Sequence, residues 1–376
     1  MKKNVFALLF LVLSSTIVSA QDQNIRQYGI SIGVLEAGPL NSITDVNGVK
    51  VGHKTITSAE HIRTGVTAIL PHPGNIFQQK VPAAVYVENG FGKLAGSTQI
   101  KELGNLETPI ILTNTLSVPI AADALIDYTF SFKANNGVRS VNPIVGETND
   151  GYLNNIRGRH ISKKDVLTAI KKADSGVVEQ GNVGAGNGTI AFGFKGGIGS
   201  SSRKLPEKMG GYSVGVLVQT NFGGVLQIAG VPVGKELNKY YLSDLLNKSP
   251  DGSCMIVIAT DAPLDARNLQ RLAKRAVLGL AKTGGIASNG SGDYIIAFST
   301  AKENRIPYQV NNAIEHKKTL KNSAMSPLFM AVNEATEEAI INSLFHAQTM
   351  TGRDGHTIKE LPVDSVLKLM EKYGRK

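Results

Sequence analysis

The sequence predicts an α+β fold built in layers, in which strands and helices do not alternate regularly. Three apolar runs have the length and β-branched content of buried strands: SVGVLVQTN from Ser213, CMIVIAT from Cys254 and DYIIAFST from Asp293. Amphipathic helical segments are fewer, and they do not form regular βαβ units with these strands. This pattern favours an α+β layered fold over a doubly wound parallel sheet.

The first twenty residues have the features of a secretory signal peptide. Two lysines precede an apolar run from Val5 to Leu13, and a small-x-small cleavage site ends at Ala20. The apolar run is too short for a membrane-spanning helix. We therefore expect cleavage after Ala20 and a periplasmic or secreted protein that has no membrane association once the signal is removed. No repeat or low-complexity linker divides residues 21–376, so a single domain is expected.

Four helices are predicted from apolar periodicity and cap residues. The first begins at Ser162, whose spacing to Asp165 is that of a capping box. The second covers residues 263–282, the third begins at Ser326-Pro327, and the last covers residues 364–372. The apolar stripes of the first three helices consist of Val166, Ala169, Ile170, Ala173, Leu269, Leu272, Ala273, Ala276, Leu280, Leu328, Val332, Ala335 and Ala339.

Cysteine content and charge restrict the classes of function. Cys254 is the only cysteine of the 376 residues, so no intramolecular disulfide can form, and we assign its side chain to the core. The formal net charge of +10 is distributed along the chain. Its densest group, ARNLQRLAKRAV, is typical of a solvated helix face, so no nucleic-acid partner is expected.

Neither a metal site nor a nucleotide site is indicated. The seven histidines show no HxH or HExxH spacing, and a thiolate site would need more than one cysteine. The glycine-rich stretch 181–200 lacks a Walker lysine. It continues into TIAFGF, which we predict to be a strand, whereas a dinucleotide-binding turn opens a helix. Close approach between backbone segments explains these glycines better, and we expect no cofactor.

Ser253 lies between a loop that ends at Gly252 and the apolar strand from Cys254, without a GxSxG elbow or an adjacent histidine. A Ser-His-Asp triad assembled from distant residues stays open. The alternative is that Ser253 supplies its own base. Breaking the Gly252–Ser253 bond would free an α-amino group, with a pKa of about 7.7–8.0, beside the hydroxyl. Glycine at position 252 exposes its carbonyl carbon and tolerates unusual backbone angles.

Two further segments contain groups that such chemistry needs. Asn221 ends a predicted strand with an amide donor, and one such donor can lower a transition-state barrier by about 2.7–4 kcal/mol. Ser291 and Asp293 are two residues apart on an extended segment and therefore face the same side. We predict that their hydroxyl and carboxylate form a relay that orients Ser253. Taken separately, both segments are also typical of turns.

Several longer segments carry a resemblance to a known family: DGS followed by IVIATDAPL, SNGSGDYIIAFST, GPLNSITDVNGVKVGH, KVPAAVYVENGFGKLAGSTQI, GETNDGYLNNIRGRHI and GRDGHTIKELP. Together they resemble the DmpA-type aminopeptidases, which comprise L-aminopeptidase/D-esterases and β-peptidyl aminopeptidases. The resemblance implies a four-layer αββα sandwich, similar in layering to the N-terminal-nucleophile hydrolases. It also implies a tetramer of αβ units that needs no cofactor.

The resemblance implies that the precursor cuts itself between Gly252 and Ser253. The products would be an α chain, residues 21–252, and a β chain, residues 253–376, which stay associated. Ser253 would then be the nucleophile.

The resemblance also assigns roles around Ser253. Asn221 falls where the family has an oxyanion-hole amide, and Ser291 and Asp293 fall where a serine and an acidic residue assist. Tyr152 in NDGYLN matches a site tyrosine that helps to hold the oxyanion or the substrate. Glu147 offers a carboxylate for a substrate ammonium, but a structural role is the more ordinary interpretation, and we do not include it among the predicted catalytic residues.

The predicted function is that of a self-processed serine aminopeptidase. It would release N-terminal residues from short peptides, amides or esters, of the L-α, β or D series, through an acyl-enzyme on Ser253. Two alternatives stay open. One is an autoprocessed acyltransferase of the ornithine acetyltransferase kind, which has threonine at the cut. The other is a non-enzymatic secreted binding protein whose glycine-rich face holds a ligand.

Overall fold

The computed structural model describes residues 24–243, 252–309 and 313–376. The predicted signal peptide and residues 248–251 of the predicted loop from Lys248 to Gly252 therefore lie outside the described residues, whereas Gly252 and Ser253 lie within them.

The described part of the chain contains sixteen strands and seven helices. The strands are β1 Lys50–Ser58, β2 Ile62–Leu70, β3 Gln79–Gly90, β4 Leu94–Ala95, β5 Asn105–Leu106, β6 Ile110–Asn114, β7 Ile144–Thr148, β8 Ile190–Ala191, β9 Phe194–Lys195, β10 Ile198–Lys204, β11 Ser213–Asn221, β12 Ser253–Thr260, β13 Gly292–Ser299, β14 Ile306–Pro307, β15 Met350–Thr351 and β16 Thr357–Ile358. The helices are α1 Ser97–Leu103, α2 Val118–Phe130, α3 Lys163–Lys171, α4 Val233–Glu236, α5 Ala266–Lys282, α6 Ser326–Phe345 and α7 Val363–Lys372.

Two sheets form the centre of the fold. The small sheet has the strand order β1-β2-β6-β7-β4. The large sheet has the order β10-β11-β12-β13-β3-β14, with β5 also paired to β3. In the large sheet, β12 runs antiparallel to β11 and parallel to β13. This mixture of parallel and antiparallel pairing agrees with the absence of regular βαβ units in the sequence.

Three apolar clusters separate four layers. Strand alternation produces them: in β12, Met255 and Val257 face the small sheet, whereas Ile256 and Ile258 face α5 and α6. Helices α2 and α3 cover the outer face of the small sheet in the same way. The resulting order, helices, sheet, sheet, helices, confirms the predicted αββα sandwich. The cluster between the two sheets includes Ile69, Leu112, Ile144, Met255, Val257 and Ile296.

The predicted helices are present, with small differences at their ends. Ser162 caps α3 through a capping box with Asp165, as predicted. Helix α5 begins after the predicted start at Pro263, because the Asp265 side chain accepts the Asn268 N–H at 2.8 Å and so forms the N-cap. Helix α6 begins at Ser326 as expected, but it is buried on almost every side in its second half. The apolar stripe predicted from the sequence therefore covers only part of the surface that this helix buries.

The prediction of a single strand for TIAFGF was wrong. The segment forms a tight hairpin of β8 and β9, in which Ile190 pairs with Lys195. Phe192 and Gly193 both have positive φ, 52° and 76°. A two-residue turn with two left-handed residues reverses the chain and matches the twist of a hairpin. Phenylalanine seldom takes this conformation, so residue preference did not predict the turn.

A buried ion network ties β10 to α6. Arg203 is completely buried, and its guanidinium lies 3.1 Å from Glu334 and 2.7 Å from Glu338. Arg26 donates to both carboxylate oxygens of Glu338, each at 2.7 Å. Arg203 also donates to the carbonyl of Ile32 at 2.8 Å. A buried charge is tolerated when it is paired and hydrogen-bonded, and this network joins segments that precede and follow Ser253.

We predict that Arg203→Met destabilises the protein strongly. The change leaves two buried carboxylates with one guanidinium, and breaking a buried pair typically lowers the free energy of unfolding by about 3–5 kcal/mol. Urea unfolding followed by circular dichroism measures this loss. Lys163→Met is the control, because it removes exposed ion pairs to Asp123 and Asp127 and should hardly move the midpoint. Equal midpoints for the two variants would contradict the assignment.

Candidate active site

The ends of three neighbouring strands bring Asn221, Ser253 and Gly292 together. In the register of the large sheet, Ser253 at the start of β12 pairs with Asn221 at the end of β11. On its other side Ser253 pairs with Gly292, the first residue of β13. Directly opposed residues on antiparallel strands project to the same face, and alternation from Met255 shows that this face is directed to the small sheet. The predicted amide donor therefore lies beside the predicted nucleophile.

The Ser253 hydroxyl lies against the peptide group that we predict it attacks. It donates to the Gly252 carbonyl oxygen at 2.6 Å and accepts the Gly292 N–H at 3.2 Å. The same N–H lies 3.2 Å from the Gly252 oxygen. One backbone donor is thus directed at both the hydroxyl and the carbonyl. Ser253 is only 6% exposed, so these interactions occur where water competes weakly.

Steric crowding, and not a left-handed backbone conformation, accounts for the glycine that precedes Ser253. Among the described residues, Gly252 is not one of the glycines with positive φ. A Cβ at this position would lie 3.0 Å from the Phe222 Cα and 3.4 Å from the Asn221 carbonyl oxygen. Glycine therefore lets the chain pass close to the end of β11 on its way to Ser253.

The Asn221 side chain is oriented by the β8–β9 hairpin. Its Oδ1 accepts the Ile190 N–H at 3.0 Å. This contact assigns the oxygen to the hairpin side, so that the opposite end of the amide carries the two N–H donors. The side chain is 6% exposed. The arrangement suits an oxyanion donor that must be fixed before charge develops.

Ser291 and Asp293 form the predicted couple. The Ser291 hydroxyl donates to Asp293 Oδ1 at 2.9 Å, and both side chains are buried. Burial raises the pKa of Asp293 to about 6, against the hydrogen bond from Ser291 and the nearby Cys254 N–H. Oδ2 of Asp293 has no hydrogen-bond partner among the described residues.

The relay from this couple to Ser253 stays a prediction. In the register, Asp293 pairs with Cys254, one residue along from Ser253. Within residues 24–243, 252–309 and 313–376, no hydrogen bond joins Ser291 or Asp293 to the Ser253 hydroxyl. The couple thus lies one strand away from the nucleophile in the uncut chain. Cys254 itself is completely buried against α5 and α6, as predicted.

Tyr152 lies on the turn that follows β7. The end of this strand is tied to β11, since the Gln219 side chain donates to Thr148 Oγ1 at 2.9 Å. Tyr152 is 49% exposed, and its ring stacks on His356 at a centroid distance of 4.4 Å. In the described part of the chain no hydrogen bond joins Tyr152 to Ser253, so the catalytic role of Tyr152 stays a prediction.

Glu147 lies closer to the site than the sequence indicated. It is 3% exposed, its Oε1 accepts the Lys93 N–H at 3.0 Å, and Thr115 donates to Oε2. A Cβ at Gly92 would lie 3.1 Å from Glu147 Oε1 and 3.4 Å from the Gly292 Cα. Gly92 therefore lies between the Glu147 carboxylate and the start of β13, the strand that pairs with Ser253. Burial raises the pKa of Glu147, although these hydrogen bonds oppose the shift.

A buried lysine that the sequence analysis missed supports the hairpin behind Asn221. Lys195 is completely buried and donates to the carbonyl oxygens of Gly186 and Gly196 at 3.0 and 2.6 Å. Burial lowers the pKa of Lys195 to about 7, although the Asp150 carboxylate opposes the shift. Burial likewise raises the pKa of Asp150 to about 7. The signal in the sequence was a single lysine within the apolar run AFGFKGG.

The described residues contain no group of three or more histidine, cysteine, aspartate or glutamate side chains that could hold a metal ion. A search of the same residues finds no helix with the length and hydropathy needed to cross a membrane.

Comparisons with known proteins show what this chain is similar to. Residues 41–358 match the sequence profile of peptidase family S58. The β-peptidyl aminopeptidase BapA of Sphingosinicella microcystinivorans is 39% identical, over 98% of this chain and 97% of its own length.

Two solved structures share the fold. A protein from Pyrococcus horikoshii OT3 has a TM-score of 0.87 at 51% identity, covering 94% of this chain and 100% of its own. The L-aminopeptidase D-Ala-esterase/amidase of Ochrobactrum anthropi has a TM-score of 0.86 at 35% identity, covering 94% of this chain and 99% of its own. The latter is described as a prototype of the serine aminopeptidases and as a variant of the Ntn hydrolase fold.

Proposed function

This chain belongs to peptidase family S58 and is an aminopeptidase with an Ntn-hydrolase-like fold, and from this premise we propose that Ser253 both cuts the precursor and attacks the substrate. The observation that carries the proposal is the placement of Ser253 between Asn221 and Gly292, with its hydroxyl against the Gly252 carbonyl. Membership of the family sets aside the two alternatives, the acyltransferase and the non-enzymatic binding protein.

The first reaction is self-cleavage. Ser253 Oγ attacks the Gly252 carbonyl carbon, a C–O ester bond replaces the C–N bond, and the hydroxyl proton passes to the departing Ser253 nitrogen. Water then hydrolyses the ester, leaving a carboxylate on Gly252 and a free α-amine on Ser253. The Gly292 N–H, 3.2 Å from the Gly252 oxygen, supports this step because it can stabilise the oxyanion as it forms.

The second reaction is hydrolysis of the substrate. Ser253 Oγ attacks the carbonyl after the first residue of the substrate, and the new α-amine takes the hydroxyl proton and passes it to the leaving amine. Such an amine has a pKa of about 7.7–8.0, close to the working pH of most enzymes. The Asn221 amide stabilises the oxyanion, assisted by Tyr152, and water then releases the free amino acid.

Asp293 is proposed to receive the new terminus. Before the cut, one of its oxygens is buried without a partner among the described residues, and burial raises the pKa of the carboxyl to about 6. The proximity of Asp293 to Cys254, the residue after Ser253, supports this role. An ammonium on Ser253 would favour the ionised carboxylate, and Ser291 would hold the carboxylate in place.

Glu147 is proposed to bind the free amine of the substrate. Its carboxylate is buried one glycine away from the strand beside Ser253, and burial raises its pKa. A substrate ammonium would pair with this charge and place the first carbonyl near Ser253. An aminopeptidase needs such a group because it must recognise the charged N-terminus of its substrate and cleave after the first residue.

We propose β-aminoacyl peptides and amides as substrates, in agreement with the name of the relative from S. microcystinivorans. The signal-peptide features of residues 1–20 support export to the periplasm or beyond. A tetramer of αβ units, which the resemblance implies, is part of the same proposal.

Intact mass spectrometry tests the self-cleavage. The wild-type protein should give two chains, residues 21–252 and 253–376, whereas Ser253→Ala should give one chain and no peptidase activity. Cys254→Ala is the control, because it changes the neighbouring buried residue without touching the proposed chemistry. A wild-type protein that stays whole, or a Ser253→Ala protein that is still cut, would overturn the proposal.

The role of Glu147 is tested with β-alanyl p-nitroanilide. Glu147→Gln should lower kcat/KM by about 10-fold to 150-fold, mainly through KM, because a hydrogen bond to a charged group contributes about 1.5–3 kcal/mol. N-acetylation of the substrate should cause a similar loss with the wild-type enzyme and little further loss with the variant. Equal losses in both enzymes would show that Glu147 does not recognise the amine.

A pH profile of self-cleavage tests the predicted relay, in which Ser291 and Asp293 orient the Ser253 hydroxyl before the cut. In the uncut chain its pKa is raised to about 6, so the carboxylate is present above that pH and is lost as the pH falls through it. The self-cleavage rate of refolded precursor should therefore decrease below pH 6 in the wild type. Asp293→Glu should keep this dependence, and Asp293→Asn should be slow at every pH. A rate for Asp293→Asn equal to that of the wild type on both sides of pH 6 would refute the role.

A further inference from the structure

We infer that His356 is a positioning residue that sets the orientation of Tyr152, an inference that rests on the proposed role of Tyr152 in the active site. Nothing in the chemistry described above uses His356, although its motif, GRDGHTIKELP, is part of the family resemblance. Among the described residues, the His356 side chain makes one hydrogen bond and one ring contact, and both are with Tyr152.

The first contact holds the ring of Tyr152 and the second holds its backbone. The two rings stack at 4.4 Å with an angle of 17° between their planes. His356 Nδ1 lies 3.0 Å from the Tyr152 carbonyl oxygen. Because a carbonyl oxygen only accepts, Nδ1 carries the hydrogen. One side chain therefore restricts both the side-chain and the main-chain freedom of Tyr152.

The hairpin that carries His356 is itself fixed against the Tyr152 turn. His356 lies between β15 and β16, and the Arg353 N–H in this hairpin donates to the Leu153 carbonyl at 2.8 Å. A Cβ at Gly352 would lie 2.1 Å from that carbonyl oxygen. The Arg63 side chain also donates to the Thr351 carbonyl at 2.9 Å. The stacked rings of Tyr152 and His356 are thus held by backbone contacts between the two segments that carry them.

The stacking on His356 leaves the Tyr152 side chain accessible. The residue is 49% exposed, and its hydroxyl has no hydrogen-bond partner among the described residues. An exposed tyrosine without a packed ring would sample several rotamers and lose that freedom on binding. Stacking on His356 removes this freedom in advance while the hydroxyl stays available for a substrate or an oxyanion.

The pair also spans the proposed cut. Tyr152 precedes Ser253 in the chain and His356 follows it, so after self-cleavage each residue belongs to a different polypeptide. The orientation of a substrate-facing group in the first chain would then depend on docking of a hairpin from the second.

Three variants separate the two contacts. His356→Ala removes both, His356→Phe keeps a ring that can stack, and His356→Asn keeps an N–H donor without a ring. With β-alanyl p-nitroanilide, His356→Ala should lower kcat by about 10-fold to 100-fold, the cost of misplacing a catalytic contact by a fraction of an ångström to one ångström. KM should change less. His356→Phe should recover most of the loss, because stacking fixes the ring.

A double-mutant cycle with Tyr152→Ala distinguishes positioning from a general loss of structure. If His356 acts through Tyr152, His356→Ala should add no further loss in the Tyr152→Ala background. All variants should be cut into two chains and unfold at the wild-type temperature. His316→Ala is the control, since it removes an exposed histidine from residues 253–376, the segment that also contains His356.

The outcomes separate this inference from the proposed function. Wild-type kcat in His356→Ala, together with a loss in Tyr152→Ala, would overturn the role of His356 and leave Tyr152 in the site. Additive losses in the double variant would also overturn it. Wild-type activity in Tyr152→Ala would remove both roles, while the tests on Ser253 and Asp293 would still decide whether the peptidase mechanism holds.

Discussion

The active site depends on the register of β11, β12 and β13. Ser253 lies opposite Asn221 only because these strands end together, and it lies beside Gly292 only because β13 begins at the same level. A slip of one residue would turn the Ser253 side chain to the other face of the sheet, towards α5 and α6. Apolar alternation on both faces of β12 prevents that slip, because each face packs against its own apolar cluster. Core packing therefore fixes the position of Ser253, the proposed nucleophile.

Burial shifts the pKa values of several ionisable groups around this point. Asp293 and Glu147 are carboxyls whose pKa burial raises, and Lys195 is an amine whose pKa burial lowers. In each case burial disfavours the charged form of the group. Self-cleavage would introduce an ammonium at Ser253, and a substrate would introduce another. In the proposed mechanism, the buried carboxyls of Asp293 and Glu147 would pair with ammonium groups that appear only after self-cleavage or substrate binding. This pairing would offset the free-energy cost of burying the two carboxyls.

The sequence predicted local features better than it predicted contacts between strands. Strand β11 was predicted with both its ends, and the capping box at Ser162 fixed the start of α3, because these signals lie within one segment. Asn221 and the couple of Ser291 and Asp293 could be proposed from strand ends and spacing. The donor role of the Gly292 N–H could not, since a backbone group has no signature in sequence.

Other features depended on approach between distant segments. The β8–β9 hairpin turns at Phe192, where residue preference argues against a left-handed conformation, and only the packing around it enforces the turn. The relation of Asp293 to Ser253 depends on parallel register, which places the acid beside Cys254. Because Ser253 and the groups around it come from both sides of Gly252, the proposed site would persist after the proposed cleavage only while the two chains stay paired. The antiparallel pairing of β11 with β12 and the buried ion pairs of Arg203 supply that association from the interior of the fold. The proposed cleavage at this strand end would therefore break one peptide bond and leave the pairing of β12 with β11 and β13 intact.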